Sequence, residues 1–354
     1  MIKEKEFAKN IKRIRQGSDS RMKKLRLGMN EYIPHMPEDL FKKIISNFTI
    51  EKASAYPEVN QAYNALSGFL NQKRDRILLA SGADMAIKII FETFCQQGDI
   101  VATCAPTFAM YRVHANLLNC KLREISSNNK GEFTEEDLLD LANKSTKLII
   151  LANPNGVTGF AFEKNLIIKL LEKSSRANTI VVLDETYANF GEIDMSELLE
   201  KYNNLIIVRS FSKNIGMAGI RVGYILSSEY LSGMMEKFKP MMEINSLAVE
   251  SIKTICSDKK YLNDAVQKII KARKYVSVEF RERGYEVLER KGNFILVNFE
   301  ENCSKIETIL ENNNIEYRKL SRPLEKYIRF TVGTKKIMKN LLNIIGEVKN
   351  NEKI

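Results

Sequence analysis

The sequence predicts an α/β protein with a large domain built on a mostly parallel sheet and a smaller α+β domain. Between about residues 58 and 226, short apolar runs alternate with segments of helical spacing, a pattern typical of strands that alternate with covering helices. The runs are almost continuously apolar, as expected of strands that are buried on both faces. The length of 354 residues is sufficient for two domains.

The elements of the large domain follow from these runs in chain order. The strands are predicted at residues 77–80, 100–103, 148–151, 180–183 and 205–208. The helices are predicted at residues 84–94, 108–118 and 163–174, where apolar residues recur with helical period.

Beyond about residue 245 the pattern changes to that of a smaller α+β domain. A long helical stretch is predicted over residues 246–283, followed by Val287, an apolar run at 294–299 and a helix at 304–313. A strand at 327–332 and a last helix from about residue 335 complete it. The predicted division is therefore a large domain at 46–245 and a small domain at 246–354.

Composition excludes several classes of function. The net charge is +11, but the basic residues are dispersed and their densest clusters, at 3–15 and 21–26, are interrupted by apolar residues, so no nucleic-acid role is predicted. Five scattered cysteines without a Cys-x-x-Cys pair, and only two histidines, predict reduced thiols and no metal site. No apolar run approaches the length of a membrane span, and the charged N-terminus lacks a signal core, so we expect a cytoplasmic protein.

A lysine follows the last predicted strand of the large domain. Lys213 comes just after the apolar run 205–208, Ser210 and Ser212 precede it, and Arg221 lies eight residues further on. An amine that forms a Schiff base must be held beside an anion site, and this segment supplies both. A solvated lysine after a strand is the alternative interpretation.

A second segment favours the chemical interpretation. Asp184 and Tyr187 leave the end of the predicted strand 180–183. In pyridoxal 5′-phosphate (PLP) chemistry a carboxylate keeps the pyridine nitrogen protonated, a phenol bonds the ring O3′, and a lysine binds the aldehyde. The alternative for Asp184 is a helix N-cap. Together these segments resemble the fold-type I PLP enzymes, specifically the histidinol-phosphate aminotransferase-like branch of the class I/II aminotransferases, from about residue 30 to residue 334.

The resemblance implies a cup for the cofactor phosphate. Residues 81–84 close one strand and open a helix, and the resemblance places Ser81, Gly82 and the amides of Ala83 and Asp84 there. It adds Ser210, Ser212 and Arg221 as further phosphate ligands. Taken alone, residues 81–84 are also compatible with an ordinary strand-to-helix turn capped by Ser81.

Two aromatic residues and one loop complete the implied cofactor site. Phe108 resembles the ring that covers the cofactor, although a core position is equally compatible with its spacing. Tyr56 resembles the tyrosine that reaches the partner subunit's cofactor phosphate, which implies a homodimer; a surface tyrosine is the alternative. The loop 153–159 resembles the family's Asn-Pro-x-Asn-Pro-Thr-Gly motif, but Gly156 stands in place of the asparagine that bonds O3′. Either Asn155 replaces that amide or O3′ depends on Tyr187.

The substrate residues are implied by the same resemblance. Arg329 resembles the arginine that clamps the substrate α-carboxylate, which its planar fork suits. Arg318 resembles a second arginine for the distal phosphate of the substrate, and Arg322 is a rival for that role. Asn30 and Tyr32 resemble the segment at the substrate entrance, and the arm 1–45 is expected to join the small domain.

The sequence therefore predicts a PLP-dependent aminotransferase that acts on an amino acid such as glutamate and on a small phosphorylated carbonyl or amine substrate. Lys213, Asp184 and Tyr187 are its predicted catalytic residues. One alternative is decarboxylation of a phosphorylated hydroxy-amino acid, since cofactor motifs do not determine which Cα bond breaks. Another alternative is a non-catalytic PLP-binding protein.

Overall fold

The computed structural model describes residues 6–9, 11 and 19–350. Part of the predicted N-terminal arm, at residues 1–5, 10 and 12–18, lies outside the described residues, as do residues 351–354. Among the helices of the described chain, none has the length and apolar character that crossing a bilayer requires.

The strands fall into three sheets. In chain order they are β1 Leu25–Arg26, β2 Ile77–Ala80, β3 Ile100–Ala105, β4 Lys121–Ser126, β5 Thr146–Ala152, β6 Ile180–Asp184, β7 Leu205–Ser210, β8 Gly223–Ser227, β9 Glu286–Glu289, β10 Phe294–Asn298, β11 Ile315–Glu316, β12 Arg318–Lys319 and β13 Tyr327–Thr331.

The α-helices pack against the two larger sheets and contribute to the hydrophobic core beside each of them. In chain order they are α1 Glu38–Asn47, α2 Ile50–Ser54, α3 Val59–Leu70, α4 Gly82–Phe94, α5 Ala109–Leu117, α6 Glu135–Asp140, α7 Lys164–Arg176, α8 Ala188–Gly191, α9 Glu229–Glu236, α10 Ser246–Cys256, α11 Lys259–Glu282, α12 Cys303–Asn312 and α13 Lys335–Asn350. Short 3₁₀ turns occur at Glu6–Ala8, Asp19–Lys23, Arg74–Arg76, Ser196–Glu200 and Glu300–Asn302.

The central sheet has seven strands in the order β2-β8-β7-β6-β5-β3-β4, and only β8 runs antiparallel to its neighbours. The carboxyl ends of its parallel strands therefore meet at one edge, where ligands bind in open α/β sheets. Asp184 ends β6 and Ser210 ends β7 at this edge. The α/β class with a mostly parallel sheet is confirmed.

The smaller sheet is antiparallel, in the order β12-β13-β10-β9. In this register Arg318 on β12 lies directly opposite Arg329 on β13. The N-terminal segment joins this part of the molecule, because β1 pairs in parallel with β11 and the Thr331 N–H donates to the Leu27 carbonyl (2.8 Å). Leu27 and Ile33 are buried in the same core as α11 and α13.

Two helices, α10 and α11, occupy the long helical stretch predicted over residues 246–283. Ser257 and Asp258 interrupt them, and the Asp258 carboxylate accepts the Tyr261 N–H (2.9 Å) as the N-cap of α11. Helix α10 packs in the core of the central sheet, and the second core begins at Ala265 within α11. Helix α11 therefore begins in the core of the central sheet and continues in the core of the smaller sheet. The domain division at residue 245 stays a prediction.

Candidate active site

The first turn of α4 forms a backbone cradle at the edge of the central sheet. Gly82 opens the helix at φ +84°, and its N-cap Ser81 makes no side-chain capping bond. The first N–H groups of the helix are thus left for another acceptor, the usual arrangement of an anion site. Gly223 pairs with Ala80 on one side and Ser210 on the other. A Cβ on Gly223 would lie 2.5 Å from the Gly82 carbonyl carbon, so the two backbones can approach this closely only because residue 223 is a glycine.

Arg221 places its guanidinium against this cradle. A Cβ on Gly82 would lie 2.4 Å from Arg221 Nη2, and Arg221 Nη1 donates to the Ala218 carbonyl (3.1 Å). The arginine has φ +64°, a conformation that costs about 1–3 kcal/mol outside glycine and is concentrated at functional sites. Ser210 Oγ accepts the Ser212 N–H (3.1 Å) and donates to the Val222 carbonyl (3.2 Å). The cradle, the guanidinium and the two serines fit a phosphate group.

Asp184 is a buried carboxylate with two neighbours that fix its position. Its Oδ2 accepts the Tyr111 hydroxyl (2.7 Å), and its Oδ1 accepts the Thr186 N–H (3.0 Å) and hydroxyl (2.6 Å). Burial raises the pKa of Asp184, and the bonds from Thr186 and Tyr111 and the charge of Lys213 oppose this rise. A buried carboxylate in this position is suited to a cationic ring nitrogen.

Tyr111 was missed as a site residue by the sequence reasoning. Its side chain is fully buried, and burial together with Asp184 raises its pKa well above the usual range, so it stays a hydroxyl donor. The only sequence signal is its position three residues after Phe108, one helical turn onward on α5. His114, also on α5, contacts Asp84 (Nε2 to Oδ1, 3.3 Å), so the Asp84 side chain contacts α5.

Lys213 is half-buried and directs its amine towards the N-terminal segment. Its Nζ donates to the Met29 carbonyl (2.8 Å). Lys213 thus lies at the same edge of the sheet as Asp184 and the phosphate cradle, and the N-terminal segment contacts it at Met29.

The loop 153–159 brings Gly156 against Tyr187. The Tyr187 hydroxyl accepts an N–H from Asn30 Nδ2 (3.1 Å), and Asn30 Nδ2 also donates to the Gly156 carbonyl (3.2 Å). Asn155 is occupied by its own loop, because its Nδ2 donates to the Pro106 carbonyl (3.0 Å) and its Oδ1 accepts the Val157 and Thr158 N–H groups. The resolved bonds of Asn155 are structural, and its predicted cofactor contact stays a prediction.

Arg329 is a buried cation whose resolved hydrogen-bond acceptors are carbonyl groups. It is 7% exposed; Nη1 donates to the Gly156 carbonyl (2.5 Å) and Nη2 to the Gly28 carbonyl (2.9 Å). The guanidinium lies 5.1 Å from the centre of the Phe294 ring, and Nε is buried without a resolved acceptor. Burial lowers the pKa of Arg329 to about 10, and neighbouring Arg318 contributes in the same direction. An anion at this point would relieve an incompletely compensated charge.

The remaining predicted residues differ in their placement. Arg318 is exposed opposite Arg329, whereas the Arg322 side chain is 91% exposed and lies 3.6 Å from Glu325. Tyr32 is buried, and burial raises its pKa to about 12. Phe108 is 41% exposed and meets Tyr111 edge-on at 5.7 Å. Tyr56 is 79% exposed.

The central sheet, the phosphate cradle and the buried aspartate near a lysine are the features of a fold-type I PLP-dependent enzyme. The family model of the aminotransferases of class I and II matches residues 22–345, and the chain belongs to this family. Its cofactor is pyridoxal 5′-phosphate.

Similar proteins place the chain in the histidinol-phosphate aminotransferase-like branch. It is 28% identical over 345 residues to the histidinol-phosphate aminotransferase of Clostridium novyi, covering 96% of each chain. It is 30% identical over 331 residues to histidinol-phosphate aminotransferase 1 of Carboxydothermus hydrogenoformans, covering 92% of this chain and 93% of that one.

Solved structures show the same fold. The histidinol-phosphate aminotransferase of Sinorhizobium meliloti in complex with pyridoxal-5′-phosphate superimposes with a TM-score of 0.83 at 22% identity, covering 92% of this chain and 91% of that chain. The L-threonine-O-3-phosphate decarboxylase of Porphyromonas gingivalis superimposes with a TM-score of 0.78 at 21% identity, covering 92% of this chain and 99% of that chain.

Proposed function

We propose that this aminotransferase moves an amino group between L-glutamate and a small phosphorylated amine or carbonyl compound, with histidinol phosphate as the first compound to test. The observation that carries the proposal is the pair Arg329 and Arg318, which lie opposite each other on neighbouring strands of the smaller sheet. Two adjacent cations suit a substrate set that carries both a carboxylate and a phosphate.

The cofactor would be held by residues at the edge of the central sheet. Ser81, Gly82, Ala83 and Asp84 at the start of α4, with Ser210, Ser212 and Arg221, would bind its phosphate. Asp184 would hold the proton on its ring nitrogen, Tyr187 would donate to its phenolic oxygen, and Phe108 would cover its ring. When bound, PLP supplies an aldehyde that binds amines and a ring that accepts the electrons of a broken Cα bond.

Lys213 would act as the general base. Its amine, which donates a hydrogen bond to the Met29 carbonyl (2.8 Å), would take the proton from the substrate Cα and deliver it to the cofactor carbon that carried the aldehyde. Arg329 would fix the α-carboxylate with two parallel bonds, and Asn30 and Tyr32 would line the entrance. Arg318, rather than the solvent-directed Arg322, would bind the distal phosphate.

The absorption spectrum of the PLP-loaded protein tests the reaction. Excess L-glutamate without an acceptor should convert the cofactor band to that of the amine form, and Lys213→Ala should remove this conversion while leaving the protein folded. A band that L-glutamate leaves unchanged, together with carbon dioxide release from a phosphorylated hydroxy-amino acid, would instead establish the decarboxylase.

The proposed active unit is a homodimer. Several large apolar side chains near α1, α2 and the start of α10 are exposed, namely Phe41, Ile45, Ile50, Tyr56, Met241 and Met242, and α1 and α2 both contact α10. A second copy of the chain would cover them, and Tyr56 would reach the cofactor phosphate of that copy.

Mixed dimers test this arrangement. Neither Tyr56→Ala nor Lys213→Ala alone should retain full activity, but a mixed dimer of the two variants contains one intact site if Tyr56 acts on the partner. Recovery of activity on mixing supports the shared site. No recovery from dimers that demonstrably exchange subunits would contradict it.

A further inference from the structure

Asn30 is a buried amide with every polar group occupied. It is 1% exposed, and the two bonds of its Nδ2, to the Tyr187 hydroxyl and the Gly156 carbonyl, use both amide protons. Thr331 holds the residue from the other side, since its hydroxyl accepts the Asn30 N–H (2.9 Å) and donates to Asn30 Oδ1 (3.3 Å). Asn293 Nδ2 donates to the Asn30 carbonyl (2.9 Å). The amide is therefore fixed by the smaller sheet while it contacts a tyrosine of the cofactor site.

The contact depends on the missing side chain at Gly156. A Cβ at this position would lie 2.7 Å from Tyr187 Cε2 and 3.3 Å from its hydroxyl oxygen. Any other residue would push the Tyr187 ring out of its place. The Tyr187 ring also meets Phe294 edge-on at 5.9 Å, so it is confined on two sides.

We propose that Asn30 is a positioning residue that fixes the Tyr187 hydroxyl as a proton donor to the phenolic oxygen of the cofactor. Because the Tyr187 oxygen accepts an N–H from Asn30, the hydroxyl proton cannot point at Asn30 and is available on the other side. Both amide protons of Asn30 are used, so the residue acts through Tyr187 and not by touching the cofactor. The inference rests on the proposed cofactor role of Tyr187.

The pH titration of the bound cofactor's absorbance, without substrate, tests this inference. A donor to the phenolic oxygen stabilises the negative charge on that oxygen. The oxygen then attracts less strongly the proton on the adjacent nitrogen that Lys213 contributes, and that proton is lost at a lower pH. Loss of the donor therefore raises the pH at the midpoint of the titration. We expect Tyr187→Phe to raise the midpoint by about one pH unit and Asn30→Gly by about half of that. Glycine tolerates the φ of +56° at this position. In a Tyr187→Phe background, Asn30→Gly should add nothing.

The controls separate this role from a general structural one. Asn71→Gly removes an exposed asparagine with a similar φ of +52° and should leave the midpoint unchanged. If Asn30→Gly does not fold, Asn30→Asp retains the shape but lacks the N–H donors, and it should also raise the midpoint. A midpoint that stays at the wild-type value in the Asn30 variant while Tyr187→Phe raises it, or equal shifts of Asn30→Gly with and without Tyr187, would overturn the inference. A wild-type protein that binds no PLP would instead contradict the proposed function.

Discussion

Replacing Gly82 by alanine tests the phosphate cradle most directly. The new Cβ would lie 2.4 Å from Arg221 Nη2 and 2.9 Å from its Cζ, so the guanidinium has to move away from the first turn of α4. A charge-assisted hydrogen bond is worth about 1.5–3 kcal/mol, and its loss corresponds to an increase of about 10-fold to 150-fold in the dissociation constant of PLP. The left-handed φ of +84° adds a folding cost of about 1–2 kcal/mol that is unrelated to the cofactor.

Gly98→Ala is the matched control for this experiment. Gly98 has φ +90°, and a Cβ there meets no atom within 4 Å, so it bears the same backbone cost without a contact. Urea unfolding of the PLP-free proteins should show similar losses of stability in both variants. Equilibrium binding should show weaker PLP binding only in Gly82→Ala, and pyridoxal, which lacks the phosphate, should bind both variants equally. If Gly82→Ala binds PLP within about 3-fold of Gly98→Ala, the cradle does not hold the phosphate.

Three further predictions concern Asp184, Tyr111 and the two arginines that are candidates for binding the substrate phosphate, Arg318 and Arg322. Burial raises the pKa of Asp184, so the ionised carboxylate destabilises the PLP-free protein at pH values above the ordinary carboxyl pKa. Asp184→Asn should therefore raise the free energy of unfolding at pH 8, and this gain should shrink towards about pH 4. The same variant should bind PLP more weakly. Tyr111→Phe should lower the unfolding free energy at pH 8 by about 1.5–3 kcal/mol, because it removes a bond to a charged group, and an unchanged urea midpoint would contradict this. Arg318→Ala should reduce kcat/KM for the phosphorylated substrate about 10-fold to 150-fold, whereas Arg322→Ala should leave it within about 2-fold; the reverse order would transfer the role.

The strands that the sequence predicted best are those buried on both faces. The run at residues 180–183 needed only Asp184 to match β6, and β2 matches its prediction at both ends. Two strands of the same sheet were not predicted. Strand β4 lies at the sheet edge and mixes exposed with half-buried residues, so it lacks a continuous apolar run. Strand β8 is antiparallel, between β2 and β7, and its glycine start obscured its apolar residues.

The site divides in a similar way. Residues that end a strand, such as Asp184 and Ser210, were predictable because the carboxyl ends of parallel strands meet at one edge. The hydrogen bond from Tyr111 to Asp184 joins residues 73 positions apart, so only the tertiary structure brings its two partners together. Asn30 was predicted at the substrate entrance, but its hydrogen bond to Tyr187 was not predicted. That bond requires the Tyr187 ring to lie where a side chain at position 156 would be, and no local sequence pattern describes this.

The N-terminal segment also has a consequence for how the protein folds. The bonds from Asn30 to Thr331 and from Arg329 to Gly28 each join residues 301 positions apart. Contacts of such high sequence separation form late, because the entropy of closing the intervening chain is lost before they contribute. Arg329, the proposed ligand of the substrate carboxylate, therefore reaches its native position only after nearly the whole polypeptide has been synthesised. The residues proposed to bind the cofactor phosphate, at 81–84 and 210–221, all precede Arg329 in the chain, so the proposed carboxylate site is completed after them.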